Sequence, residues 1–160
     1  MAPIHVRALN ETDTDWTKRL LVDLWYSTKI VSRGKLHNAD LLPGFIALTD
    51  DERNGLATYQ LEAHQCEIVT LNALKKGIGV GTALVEAVRS LAASANCHRL
   101  WLVTTNDNLQ ALRFYQRRGF SIVAVHRNAI EQSRKLKPEI PLTGLDGIPL
   151  RDELELEMCL

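Results

Sequence analysis

The chain has 160 residues, of which 46% are hydrophobic and 24% charged, a composition that suits a globular domain able to bury a sizeable core. Lys plus Arg and Asp plus Glu both number 19, so the net charge gives no reason to expect nucleic acid or an anionic membrane as a partner. No apolar run approaches the length of a membrane span, and the expectation is one domain over residues 1–160 whose specificity resides in a local site.

The opening Met1-Ala2-Pro3-Ile4-His5-Val6-Arg7 lacks the apolar centre of a signal peptide, which makes the cytoplasm the expected compartment. Residues 4–8 read as a first strand. Asn10, Glu11, Thr12 and Asp13 supply capping residues for a helix on which Trp16, Leu20, Leu21, Leu24 and Trp25 recur at helical spacing. Residues 26–34 are expected to continue as a second helical segment, with a polar stretch over 35–40. The mix of Tyr26, Ser27, Lys29, Ser32, Arg33 and His37 with apolar neighbours fits either a solvated face of a helix pair or the wall of a substrate pocket.

Residues 45–49 form the next predicted strand, residues 50–55 its turn on the strength of Asn54-Gly55, and residues 56–63 the returning strand. His64-Gln65 then turns into a strand over 66–73, which completes an antiparallel meander. After a glycine-rich turn, Val80, Leu84, Ala87, Val88, Leu91 and Ala95 make one apolar stripe, so a helix is expected over 82–95, ended by Asn96 in a left-handed conformation. Residues 99–105 are almost continuously apolar, the pattern of a strand covered on both faces. Strand, helix and strand in that order make a βαβ unit with parallel outer strands.

Asn106-Asp107-Asn108 caps a helix over 109–118 that Gly119 stops, and residues 120–126 return as a strand. A short helix is expected over 129–136, ended by Pro138. Leu154, Leu156, Met158 and Leu160 alternate with Glu153, Glu155 and Glu157, which predicts a closing strand with one wet face and an edge able to pair with a second copy in a homodimer. The sum is a mixed α/β fold: about seven strands in a mixed sheet flanked by helices, antiparallel in the first half and βαβ in the second. Cys66, Cys97 and Cys159 show no C-x-x-C spacing and read as reduced structural thiols; His5, His37, His64, His98 and His126 contain no i, i+4 pair, and no metal site is expected.

The chemistry centres on Lys76-Gly77-Ile78-Gly79-Val80-Gly81-Thr82, placed where a strand yields to a helix. The first N–H groups of a helix lack internal partners and the helix dipole adds positive charge there, so such a turn suits phosphate. A P-loop needs Lys then Ser or Thr after its second glycine, and Gly81 is followed by Thr82 and Ala83; a dinucleotide fingerprint needs G-x-G-x-x-G, and the spacing here is G-x-G-x-G. Both fit poorly. A basic residue, two residues, Gly, one residue and Gly or Ala fits at Lys76, Gly79 and Gly81. With Asn108, Ala111, Phe114-Tyr115 and Gly119-Phe120 further along, the chain resembles the GNAT superfamily of N-acetyltransferases over nearly its full length.

That resemblance implies acetyl-coenzyme A (acetyl-CoA) as cosubstrate, with Leu74, Lys76, Gly77, Ile78, Gly79, Val80, Gly81 and Thr82 on the cofactor and the glycine turn around its pyrophosphate. It implies main-chain groups of Leu71, Asn72 and Ala73 on the thioester, Asn108 against the pantetheine or cysteamine portion, Ala111 among the cofactor-binding residues, and Tyr115 as the general acid for the departing thiolate. The chemistry is consistent: a thiol has a pKa near ~8.5 and a phenol near ~10, and Asn108, Ala111, Leu112 and Tyr115 share one helix face. The candidate general base is Glu67, where the family often has a catalytic glutamate, with a water chain as the alternative. The period-2 partners of Glu67 are the apolar Val69, Leu71 and Ala73, an environment that would raise a carboxyl pKa. The family commonly has Arg or Gln where Lys76 stands and often Pro where Ala73 stands; Lys keeps the charge without the bidentate fork. Arg113, Arg117 and Arg118 are expected in solvent or near the nucleotide phosphate. The implied activity is acetyl transfer to a primary amine of a small molecule or peptide, with no nucleic acid or membrane partner. The alternative is a non-catalytic CoA-binding module, and the acceptor pocket is expected to draw on residues 25–37 and 127–150.

Overall fold

The computed structural model describes residues 2–160. Strand β1 (His5–Ala8) leads to α1 (Thr14–Trp25) through a capping box in which the Asn10 side chain accepts from the Thr12 N–H and the Asp13 carboxylate from the Asn10 N–H, each at 2.9 Å. Tyr26 closes α1 in the left-handed region, φ 71°. The chain then forms a hairpin, β2 (Lys29–Ser32) and β3 (Lys35–Asn38), and not the expected second helical segment over 26–34. Arg33 and Gly34 both have positive φ, 50° and 74°, as a two-residue hairpin turn matching strand twist requires. Ile30 and Val31 are β-branched, and Ile30, Ser32 and His37 are buried.

Strands β4 (Gly44–Thr49) and β5 (Glu52–Glu62) reverse at Asp50 and Asp51, both at positive φ, so Asn54-Gly55 lies inside β5 and not in the turn as expected. Packing explains that glycine: a Cβ on Gly55 would stand 2.5 Å from Val80 Cγ1 of the helix above. Ala63 and His64 make the turn to β6 (Gln65–Ala73), one residue earlier than predicted. Then come α2 (Val80–Ser94), Asn96 at φ 60° as expected, β7 (Arg99–Thr105), α3 (Leu109–Arg117), β8 (Ser121–His126), α4 (Ala129–Leu136) and β9 (Glu153–Cys159).

The seven-stranded sheet runs β1-β4-β5-β6-β7-β9-β8, antiparallel at every junction except β6–β7. Helices α2 and α3 cover one face, where Leu84, Val85, Val88, Leu100, Leu102, Phe120 and Leu156 are buried, each contributing about 2 kcal/mol of burial. Helix α1 covers part of the other, where Leu21 packs with Ile30, Ala39 and Leu56. The closing strand departs from expectation twice. It sits between β7 and β8, so it offers no free edge to a second copy. Its glutamate face is also not wet: Glu153 is 2% exposed, and Arg33 at the hairpin tip reaches Glu155 at 3.6 Å. Among the described residues, no helix is long and apolar enough to cross a membrane.

Two irregularities in β6 shape the functional site. Thr58 pairs with Thr70 and Tyr59 with Ile68, which leaves Val69 as an extra, bulged residue. The bulge breaks the expected alternation: Leu71 and Ala73 pack into the α2 core, whereas Glu67 faces the opposite side. Among the described residues, β6 pairs with β7 only at Gln65↔Arg99, Cys66↔Leu100 and Glu67↔Trp101. Beyond Glu67 the strands separate, and the β7-facing edge of residues 68–73 is open.

Candidate active site

The opened seam leads into a cleft of about 560 Å3 between β6, the glycine turn and α3. Leu71, Asn72 and Ala73 line it from the strand, and Lys76, Gly77, Gly79, Val80, Gly81 and Thr82 from the turn and the first turn of α2. Gly79 caps α2 at φ 93°, a conformation that favours glycine, and it supplies no side-chain acceptor, so the first N–H groups of α2 remain available to a ligand. Asn108, Ala111 and Tyr115 line the opposite wall from α3. Two expected residues stand apart: Leu74 is 45% exposed outside the lining, and Ile78 packs against the core.

Lys75, Gln110, Phe114 and Arg118 also line the cleft, and of these only Arg118 is anticipated from the sequence, as one of three arginines in solvent or near phosphate. Its Nε donates to Thr82 Oγ1 at 2.8 Å and its Nη1 to the Phe114 carbonyl at 2.9 Å, with the guanidinium 3.7 Å from the Phe114 ring centroid. The signal in the sequence is the i, i+4 spacing of Phe114 and Arg118 on one helix, which stacks a cation on a ring. Lys75, Lys76 and Arg118 thus place three cationic side chains beside a helix N-terminus.

The loop before α3 is held so that its face aims at the seam. Asn108 caps α3, its Oδ1 accepting from the Ala111 N–H at 3.1 Å. Asn106 Oδ1 accepts from the Arg151 and Asp152 N–H groups at 3.0 Å, and Asp107 Oδ2 accepts from the Leu145 N–H at 2.8 Å. Tyr115, 8% exposed, packs edge-on against Phe114 and Phe120 with centroids 5.1 and 5.4 Å away. Burial raises its phenol above the ordinary value, so the group stays protonated through the physiological range.

Glu67 lies on the other face of the sheet. It is 7% exposed, its Oε2 accepts from Ser32 Oγ at 2.5 Å, and its Oε1 is 3.5 Å from His37 Nε2. Burial pushes its carboxyl up to about 7, with the Ser32 hydrogen bond and the charge of Lys35 opposing and Glu153 and Glu155 reinforcing the rise. The hairpin β2–β3 supplies these contacts, so residues 25–37 do bear on the site, though as strands. A smaller cleft of about 170 Å3, lined by Gln60, Glu62, Gln65, Glu67 and Trp101, opens beside the carboxylate. Trp25 Nε1 donates to Asn72 Oδ1 at 3.1 Å, and the buried Lys137 beyond α4 donates to the Trp25 carbonyl, which ties both helices to the wall of the seam.

Comparison with known proteins agrees with this geometry. The model of the acetyltransferase (GNAT) family matches residues 8–120. The uncharacterized protein YxbD of Bacillus subtilis (strain 168) is 43% identical over 133 residues, covering 82% of this chain and 84% of the relative. Among solved structures, an IAA acetyltransferase from Bacillus cereus ATCC 14579 superposes with a TM-score of 0.76 at 18% identity, covering 99% of this chain and all of the other. A Bacillus subtilis acetyltransferase in complex with CoA does so with a TM-score of 0.69 at 19% identity, covering 100% and 99%. The two structures share the fold, and the family model accounts for most of the sequence, including the glycine turn and α3: the chain belongs to the acetyltransferase (GNAT) family.

Proposed function

We propose that this chain transfers the acetyl group of acetyl-CoA to a primary amine by direct attack within a ternary complex. The observation that carries the reading is the opened β6–β7 seam, with a cationic, glycine-floored cleft on one face of the sheet and a buried carboxylate on the other. The α2 N-terminus, Lys75, Lys76 and Arg118 bind the pyrophosphate. The open edge of Leu71, Asn72 and Ala73 pairs with the pantetheine arm and donates an N–H to the thioester carbonyl, where negative charge develops. The CoA-bound relative of the same fold is consistent with that use of the cleft.

Glu67 takes a proton from the incoming ammonium, directly or through one water, so that the neutral amine nitrogen can attack the carbonyl carbon. The nitrogen of the tetrahedral adduct releases its second proton to solvent as the carbon–sulfur bond breaks and the electron pair of that bond leaves on sulfur. Tyr115 gives that sulfur a proton and recovers one from solvent. Titrations of acetyl-CoA by calorimetry, followed by turnover of Tyr115→Phe, test the assignment. Wild type binds acetyl-CoA and acetylates an amine, whereas Tyr115→Phe binds it equally well and turns over about 100-fold more slowly. Unchanged turnover removes Tyr115 from the mechanism, and tight binding without transfer to any amine identifies a CoA-binding module instead.

A further inference from the structure

The sheet face that carries Glu67 holds more buried negative charge than acetyl transfer requires. Cross-strand partners share a face. The pairs Glu67↔Trp101, Trp101↔Glu157, Val103↔Glu155 and Thr105↔Glu153 therefore put four carboxylates on one side of the sheet, opposite the glycine cleft. Two are answered: Arg99 binds Glu155 and, at 2.7 Å, Glu157, and Glu155 also meets His126 at 3.0 Å. Glu67 has Ser32.

Glu153 is different. It is 2% exposed and its Oε1 has no hydrogen-bond partner. Of the three buried side-chain polar atoms without a partner among the described residues, two belong to this cluster, Glu153 Oε1 and His37 Nε2. Burial is expensive for an unpaired carboxylate oxygen, so such an atom marks the place of an absent donor. Burial lifts the carboxyl of Glu153 above its ordinary value even though a hydrogen bond from the Arg33 main chain and the charges of Arg33 and His126 oppose the rise, so Oε1 is the oxygen left without a donor. Lys35, a second cation of the hairpin, is engaged by Glu62 at 3.2 Å.

Position supplies the rest. Glu153 pairs with Thr105, the last residue of β7 and the level at which β6 and β7 have separated. β9 lies one strand spacing, about 5 Å, beyond β7. A nucleophile in the seam at the level of Thr105 therefore has the Glu153 backbone roughly 10 Å away across β7, a span that a short alkyl chain and the glutamate side chain cover together. We infer that the acceptor is a dication, an alkyl diamine whose far ammonium binds Glu153 while its near nitrogen, relieved of a proton by Glu67, takes the acetyl group. This rests on the reading of the glycine cleft as an acetyl-CoA site. A carboxylate in place of the far ammonium would meet Glu153 and Glu155 and be repelled.

Three amines of matched length test this against wild type with saturating acetyl-CoA: 1,5-diaminopentane, n-pentylamine and 5-aminopentanoate. The expected kcat/KM for the diamine exceeds that for pentylamine at least about tenfold, with 5-aminopentanoate the poorest. Glu153→Gln brings the diamine down to within about twofold of pentylamine. The wild-type ranking needs no variant, so it decides the matter even if Glu153→Gln fails to fold. Equal use of diamine and monoamine, a preference for 5-aminopentanoate, or transfer to none of the three by an enzyme that binds acetyl-CoA overturns the dication assignment alone. Failure to bind acetyl-CoA in calorimetry overturns the reading of the cleft beneath it.

Discussion

Glu67 is the residue at which the proposed mechanism and folding stability meet. In the proposed mechanism Glu67 works as a base, deprotonated, so kcat/KM should rise with pH through about 7 and level off above, and Glu67→Gln should abolish that limb along with most of the activity. The same shift acts on folding with the opposite benefit. The folded chain holds the Glu67 proton up to about 7 and the unfolded chain releases it near the ordinary 4.5, so stability should fall between those values by up to about 3 kcal/mol. Chemical denaturation at pH 5 and pH 8 checks this: Glu67→Gln should lose less stability across the interval than wild type, and an unaltered difference would place the titration elsewhere. Asp13 is the contrasting case, a carboxylate buried at the α1 cap between Arg7 at 2.7 Å and Arg53 at 2.9 Å and held well below the usual range by them. Its contribution is present above the ordinary carboxylate pKa and lost on acidification. Since both arginines remain partly exposed, Asp13→Asn should cost about 2 kcal/mol at pH 7, read from urea midpoints, with acetyl-CoA affinity unaffected. At this scale the glycines, Asn108 and Tyr115 are legible because each is recognised by spacing along the chain. Glu67 falls on the expected strand for a partly mistaken reason: of its apolar period-2 partners, Leu71 and Ala73 lie on the other face, because a single bulged residue, Val69, resets the alternation.

Among the elements, the β2–β3 hairpin is the one that the sequence pattern misplaces. Its apolar residues are few, and the helical spacing of α1 runs up to Trp25, which favours continuation; the features against it are the β-branched Ile30-Val31 and a Gly34 that needs a positive φ. The hairpin carries Ser32 and His37 to Glu67, and its tip carries Arg33 to Glu155. Gly34→Val meets open space but must hold φ 74°, which costs a β-branched residue about 1–2 kcal/mol. Turnover should fall several-fold while acetyl-CoA binding stays as in wild type. A matched loss of both would mean that the hairpin supports the cofactor cleft too. Helices α2, α3 and α4 are readable nearly to the residue because each has a local boundary signal: an apolar stripe ended by Asn96 in α2, the Asn108 cap and Gly119 around α3, and Pro138 after α4.

For the molecule as a whole, the strand count and the βαβ unit can be read locally, but the insertion of β9 between β7 and β8 cannot. That pairing joins residues about fifty positions apart in β7 and β9, and it is selected by the core packing of Leu154, Leu156 and Met158 and by the Arg99–glutamate contacts. The seam likewise has no local signature, since it is a place where hydrogen bonds are not made. Occupying it should stabilise the fold: CoA at about 100 times its Kd adds about 2.7 kcal/mol, or roughly 5–10 °C in Tm. Hydrogen exchange should slow at residues 71–73 and in the first turn of α2, with β1 and β4 unaffected; protection spread evenly over the sheet would argue against binding at the seam. The most direct measurement is stoichiometric: thiol released from acetyl-CoA and N-acetylated amine formed, quantified together by chromatography. Direct transfer predicts one acetylated amine for each thiol, both requiring amine and both collapsing in Tyr115→Phe. Thiol release that continues without an amine, or that leaves no acetylated amine behind, would contradict it.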